Sequence, residues 1–600
     1  MTAFRHRNAR RIGWAFLGLA SIALGAAPSF ATLHYSVSLA QPEKHFFHVQ
    51  MEIPSVRDGT TVRMAAWNAL YQIRDFSHHV SDVRASDSGG KALPIQKLDK
   101  QTWRVEGRGS VFLNYDAYWD EPGPFSSQLN SEHAFLNLAM VLFYIEERRG
   151  EDVTLDVRDG SPGWRVATAL RSVAGSSRFV AGNYDALVDA PIEAGRFEDF
   201  VLPGIEPRIR VVVHGDNWNR SQMADALKKI CAYEIALMEG APFGEYTFFY
   251  HIGSAAAGSG GGMEHADSTA IAIPSGDAVA GVSAHEFFHA WNVKRIRPQS
   301  LEPVDYSREQ WTRALWFAEG VTNTYGSYTL VRSGLWSKEQ FYADLSEQIT
   351  ELELRPANRW KSTEEASLDT WLDKYPLYNQ PEISISYYVK GQVLGVLLDI
   401  LIRDATENRA SLDDVMRALN VEFAQKGLLY RDSEDVRAVI ERIAGRSFEE
   451  FFRRYVAAAD ELPYREILSR AGLELRPVEQ RRAVLGFGVT PGVRGEAIAA
   501  GVDPDGPAAR AGLHERDVIL RWNGGDPPRR VAYWLRDRKP RELLRLRIRR
   551  EAREMDLEFS LGERIETLWQ IVETSHATER QKLLREGLLR GTTNRDPAHR

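Results

Sequence analysis

Residues 281–298 read GVSAHEFFHAWNVKRIRP. On a helix, His285 and His289 lie one turn apart on the same face, so two imidazoles can share one metal ion. Glu286 sits between them and reaches the open side of that ion, where a carboxylate can take a proton from an activated water. Zinc suits imidazole and carboxylate ligands and keeps a position open for chemistry. The pattern alone does not separate this reading from a polar patch on an ordinary helix, so a third ligand is required. Downstream, residues 314–328 read ALWFAEGVTNTYGSY. Glu319 is set among Trp316, Phe317 and Val321, where an unpaired carboxylate is costly and a metal neutralises it. The plain alternative is an exposed glutamate on the polar side of that segment.

Outward from this stretch, several segments resemble the glycyl aminopeptidase family, PDZ-bearing zinc peptidases with a thermolysin-like catalytic domain. They are YDALVDAP, GGMEH, HEFFHAWNVKRIRP, LWFAEGVTNTYG and YYVKG, in that order, followed by a PDZ-like end. The resemblance implies that His285, His289 and Glu319 hold one zinc ion and that Glu286 is the general base. It implies that Glu264, after Gly261 and Gly262, anchors a free α-amino group, and that Tyr388 donates to the oxyanion, with Tyr387 the alternative phenol. A carboxylate pairing with an ammonium beside the metal sets which peptide bond is cut. A phenol donor beside it meets the developing negative charge. Two departures from the broader aminopeptidases stand out. His289 and Glu319 are separated by 29 residues, a wider gap, and GGMEH ends in His265 where the broader group has Asn.

The expected fold is multidomain α+β. Residues 1–31 read as a signal peptide, with Arg5, Arg7, Arg10 and Arg11, an apolar run, and small residues Ser29 and Ala31 before a mature start near Thr32. An uncleaved anchor is the alternative; with cleavage no membrane span is expected, and the location is periplasmic or secreted. Residues 32–182 alternate apolar and polar, which predicts an N-terminal β-sandwich-like domain with solvated histidines. Residues 183–300 form the thermolysin-like zinc peptidase domain and 301–475 its helical lobe. Residues 476–563 form a C-terminal PDZ-like domain and 564–600 a tail that is helical and then polar and frayed. The glycine-rich run 253–262 lacks a following Lys-Ser/Thr pair, so it reads as an active-site loop and not a phosphate cradle. Cys231 is the only cysteine and belongs to a helix core.

In the PDZ-like segment, backbone N–H groups of Leu485, Gly486 and Phe487 are expected to cradle a peptide's C-terminal carboxylate. The alternative is a module that packs on the peptidase and binds nothing. A net charge of −7 gives a nucleic-acid role no support. The expected activity is zinc-dependent hydrolysis of the N-terminal bond of peptides with a free N-terminus, with small first residues (Gly or Ala) preferred. A PDZ-guided endopeptidase is the runner-up, and a non-enzymatic zinc- and peptide-binding protein the third reading.

Overall fold

The computed structural model describes residues 32–594, apart from 69–70, 174–176, 254–259, 374–379, 493 and 529–530. The signal-peptide reading and most of the glycine-rich run therefore lie outside the described residues.

The N-terminal region is β-rich. Strand Phe46–Val56 buries Phe47, Val49, Met51 and Ile53 and turns His48, Gln50 and Glu52 outward, as its alternation predicts. It pairs with Leu33–Ser38 on one side and Gly109–Tyr118 on the other, inside an eight-stranded sheet. A four-stranded sheet follows, with His133–Leu136 paired to Ile192–Gly195. That second sheet faces the next region.

The peptidase region opens with a five-stranded sheet. Its order is Glu198–Val201, Arg208–Gly215, Glu245–Ile252, Ser268–Ile273 and Gly261–Glu264. The three central strands are parallel, and Gly261–Glu264 closes one edge antiparallel to its neighbour. Helix Arg220–Leu237 buries Leu227, Ile230 and Cys231, so the thiol is a core group. Helices then dominate, among them Thr322–Arg332, Lys338–Glu353 and Tyr387–Ala405. The last of these is buried along most of its length.

In the C-terminal part a β module comes first and a tail follows. Strand Leu473–Val484 pairs antiparallel, residue by residue, with Gly562–Glu573. The five-stranded module between them, from Gly488–Pro491 to Arg553–Ser560, is thus carried on a two-stranded ribbon. Within it, Leu544, Leu546 and Ile548 are buried, while Arg545 and Arg547 pair with Glu558 and Glu554 at 2.6 and 3.1 Å. The tail opens as a strand, contains the expected helix, and as far as residue 594 is built into the fold and not frayed. Helix Glu579–Arg590 buries Leu584, Leu588 and Leu589. Arg332 donates to the Leu588 carbonyl at 2.9 Å, and Arg403 to the Thr592 carbonyl at 2.8 Å. The leucines of this tail helix join the core of the helical region.

Candidate metal centre and active site

At about 100° per residue, His285, Glu286 and His289 occupy one arc of their helix and Phe287 and Phe288 another. The structure uses both arcs. Phe287 meets Tyr246 of the sheet edge-to-face at 5.0 Å, and Phe288 stacks on Tyr325 of helix Thr322–Arg332 at 4.3 Å. The regular helix spans Val279–Phe288, and His289 keeps helical angles (φ −60, ψ −20) just past its end. The i, i+4 relation of the two imidazoles is therefore preserved.

Glu319 comes from a π-helical turn, Trp316–Val321, which runs into Thr322–Arg332. Such a turn inserts one extra residue and re-aims its side chains, and it is frequent at functional sites. The turn lies almost in backbone contact with helix Tyr387–Ala405. A Cβ on Gly320 would stand 2.5 Å from the Gly391 Cα, and one on Gly391 would stand 2.3 Å from the Trp316 carbonyl oxygen. Only two glycines allow this crossing, and it brings Glu319 and Tyr388 to the same cavity.

The three ligand candidates converge. His285 Nε2 and His289 Nε2 are 3.0 Å apart, and Glu319 lies 3.6 and 3.3 Å from them. A tetrahedral zinc with bonds of about 2.0–2.1 Å has ligand–ligand edges of about 3.3 Å, so the triangle fits the ion. The His289 Nδ1–H donates to the Asn292 carbonyl at 2.8 Å, which leaves Nε2 as a lone pair aimed inward. Three electron-rich atoms facing each other need a cation between them. Without a metal, burial raises the Glu319 carboxyl, but the charge on His289 and the hydrogen bonds from both histidines outweigh it and hold the group below the usual range.

Glu286 is buried beside this triangle. Burial pushes it up to about 8, with Glu264 and Glu319 adding to the rise and His289 opposing it. A bound cation would draw it back down. Glu264, on the edge strand, brings its carboxylate within 4.8 Å of the ligand atoms of Glu286 and His289. Gly262 faces Glu286 so closely that a Cβ there would stand 2.2 Å from the carboxyl carbon. Gly261 has φ +141, a conformation that favours glycine.

Tyr388 lines the same cavity, with its ring 6.3 Å from that of His285. Burial pushes its phenol well above 10, so it stays protonated and able to donate. Tyr387 is turned away, and its hydroxyl shares a 3.0 Å hydrogen bond with Thr370. The cavity, about 400 Å³, also takes Tyr71, Phe125 and Asp189 from the N-terminal region.

Several supporting residues lie in the quoted segments, but their roles were not legible there. Asn292 is fully buried and donates Nδ2 to the Phe317 carbonyl at 2.9 Å and to Thr322 at 3.0 Å, tying the metal helix to the Glu319 turn. Asp189, the acid of YDALVDAP, accepts from Lys294 at 2.6 Å and from the Ala266 amide at 2.8 Å, which fixes the turn after Glu264. His265 is buried and lies 3.4 Å from the same carboxylate. Leu485, Gly486 and Phe487 are in the ribbon-borne module, outside this cavity; Leu485 and Phe487 are core residues there, and Gly486 turns with φ +77.

A second cluster corrects the expectation that the N-terminal histidines are solvated. His133 is buried, with Nδ1 3.0 Å from Glu193 and Nε2 3.1 Å from the Gln128 side-chain oxygen. The Gln128 amide is oriented by donating to Asp120 at 2.9 Å. Both neighbours of the ring are acceptors, so His133 carries two protons. His251, from the peptidase sheet, donates to the other Glu193 oxygen at 2.9 Å, and His214 stacks on His133 at 4.0 Å. Alternation put His133 on a polar face; the neighbouring region then covers that face.

The metal triangle, the flanking carboxylates and the sheet-and-helix frame make this chain a zinc metallopeptidase of aminopeptidase-like type. More particularly, residues 278–394 match the family model of the M61 glycyl aminopeptidases and residues 34–196 match that of the peptidase M61 N-terminal domain. Among solved structures, an aminopeptidase N family protein from Idiomarina loihiensis is 25% identical with a TM-score of 0.79, covering 93% of this chain and 100% of its own. An M1 zinc metallopeptidase from Deinococcus radiodurans is 13% identical with a TM-score of 0.43, over 72% of this chain and 93% of its own. No curated protein sequence matches.

Proposed function

We propose that this protein is an exopeptidase that removes the first residue of peptides with a free N-terminus, preferring Gly or Ala, and that His285, His289 and Glu319 hold one zinc ion for it. The observation that carries this reading is Glu264. Its carboxylate faces the metal ligands yet is not one of the triangle, and the cavity beyond it is walled by Asp189, His265 and Lys294. A carboxylate so placed pairs with an ammonium and fixes the distance to the first carbonyl. Zinc, when bound, supplies a Lewis acid that polarises that carbonyl and acidifies water. Glu286 accepts the proton of the attacking water and hands it to the departing amine. Tyr388 donates its hydroxyl proton in a hydrogen bond to the oxygen that becomes negative. The family description supports the small first residue.

The open edge of strand Gly488–Pro491, beside the Leu485–Gly486–Phe487 turn, supports a PDZ-type role in which a peptide C-terminus is added as a further strand. Export to the periplasm or exterior rests on the N-terminal sequence alone.

Paired peptides test the main reading. A Gly-Ala peptide with a free amine should be cleaved and its N-acetylated form should not, with loss of cleavage in chelator. Glu264→Ala should raise KM for the free amine at least tenfold. Equal cleavage of both forms would overturn the exopeptidase assignment.

A further inference from the structure

The cavity has a direction along its edge strand. Glu264, Gly262 and Gly261 lie on one extended segment rising about 3.3 Å per residue. Glu264, at one end, is the amine anchor of the proposed exopeptidase, and this inference rests on that reading. Glu286, packed against Gly262, marks where the first bond is cut. Gly261 then stands past the cut, beside the second residue of a bound peptide.

At that point the wall comes from the N-terminal region. The Phe125 ring atoms Cε2 and Cζ each lie 3.4 Å from where a Gly261 Cβ would be. Both residues line the active-site cavity. The loop bearing Phe125 is held at three successive positions. Asn137, buried, donates Nδ2 to the carbonyls of Pro124 at 2.9 Å and Ser126 at 2.8 Å. Arg74 donates to the carbonyl of Phe125 itself and to the Ser126 hydroxyl at 3.2 Å. Phe125 remains only partly buried despite this fixed backbone. A rigidly presented aromatic face in a catalytic cleft is suited to packing on a ligand side chain.

We propose that Phe125 is a specificity-determining residue: its ring packs on the side chain of the peptide's second residue, so that the N-terminal domain selects an apolar or aromatic residue there. The metal, base and amine anchor all belong to the peptidase domain, and Phe125 adds a reader from outside it.

The test uses the full-length, zinc-loaded enzyme and two series of dipeptide amides. One keeps Gly first and varies the second residue through Gly, Ala, Leu and Phe; the other varies the first residue before a constant Ala. The wild-type kcat/KM should rise from Gly to Phe at the second position. Phe125→Ala should lower that Phe-to-Gly ratio by about tenfold, the worth of one aromatic contact. Phe125→Leu, which keeps an apolar side chain should the alanine variant fold poorly, should give an intermediate ratio. The first-residue ranking should not move. An unchanged second-residue ratio in both variants, or a change confined to the first-residue series, overturns the proposal. N-acetylated copies of the first series separate the premise: if they are cleaved as well as the free amines, the exopeptidase reading fails, whatever the ratios show.

Discussion

Gly262→Ala should leave the protein folded and metal-loaded but nearly inactive. A Cβ at this position would lie 2.2, 2.3 and 2.4 Å from the Glu286 atoms Cδ, Oε1 and Cγ. Ordinary carbon contacts need about 3.5–4.0 Å, so the carboxylate must retreat by about 1 Å or more. The atoms in the way are the end of a side chain, not backbone, so Glu286 can rotate at small cost. Stability should fall by only about 1–2 kcal/mol, the usual range for mild overpacking. Catalysis has no such slack: a misplacement of about 1 Å in a proton-transfer group costs about 100-fold. The assay is kcat on a Gly-Ala peptide, with zinc content by elemental analysis and a melting curve on the same sample. Activity within about threefold of wild type, with Ala confirmed at 262, would falsify the claim that this glycine exists to make room for Glu286. Loss of zinc or of the melting transition would refute the separation of stability from chemistry.

Asn292→Ala should weaken zinc binding by about 10–100-fold, because a support of the ligands is lost while the ligands stay. Chelator competition reads this directly, and unchanged affinity would show that the Glu319 turn holds itself. The His133–Glu193 pair makes a pH-dependent contribution. Burial raises Glu193, but the charges on His133 and His251 and the hydrogen bonds from both together outweigh it and lower the carboxyl from 4.5 to about 2, so its stabilisation is present above pH 4.5 and is lost as the pH falls toward 2. Burial lowers His133, but Glu193 outweighs it and raises the group above 6.5, so its stabilisation is full below pH 6.5 and is lost as the pH rises through the folded value. Glu193→Gln should therefore destabilise most between pH 4.5 and 6.5, by about 3 kcal/mol, and less on either side. Urea midpoints for both proteins across pH 3–9 check this, and a difference that does not vary with pH would remove the ion pair from the account.

Much of the active site was legible before any coordinates. The i, i+4 histidines, the glutamate between them and a glutamate stranded among apolar residues are local signals, each tied to helical geometry or to the cost of burying charge. The strand alternation of residues 46–56 was legible for the same reason. Glu264 and Tyr388 were visible only through resemblance, since one acid after a glycine run and one tyrosine on an apolar helix carry no periodic signal of their own.

What the chain determines locally is which residues can bind metal and which faces are apolar. What only the tertiary structure decides is which distant backbones may touch. Gly320 and Gly391 are unremarkable in one dimension, yet their crossing puts Glu319 and Tyr388 in one cavity. His133 reads as a solvated strand residue until the peptidase sheet covers it and leaves Glu193 as its partner. The C-terminal leucines sit in a tail that reads as helical and then frayed until a ribbon returns them to the helical region. Burial and pairing depend on what arrives from elsewhere in the chain, and one segment's pattern holds no record of its neighbours.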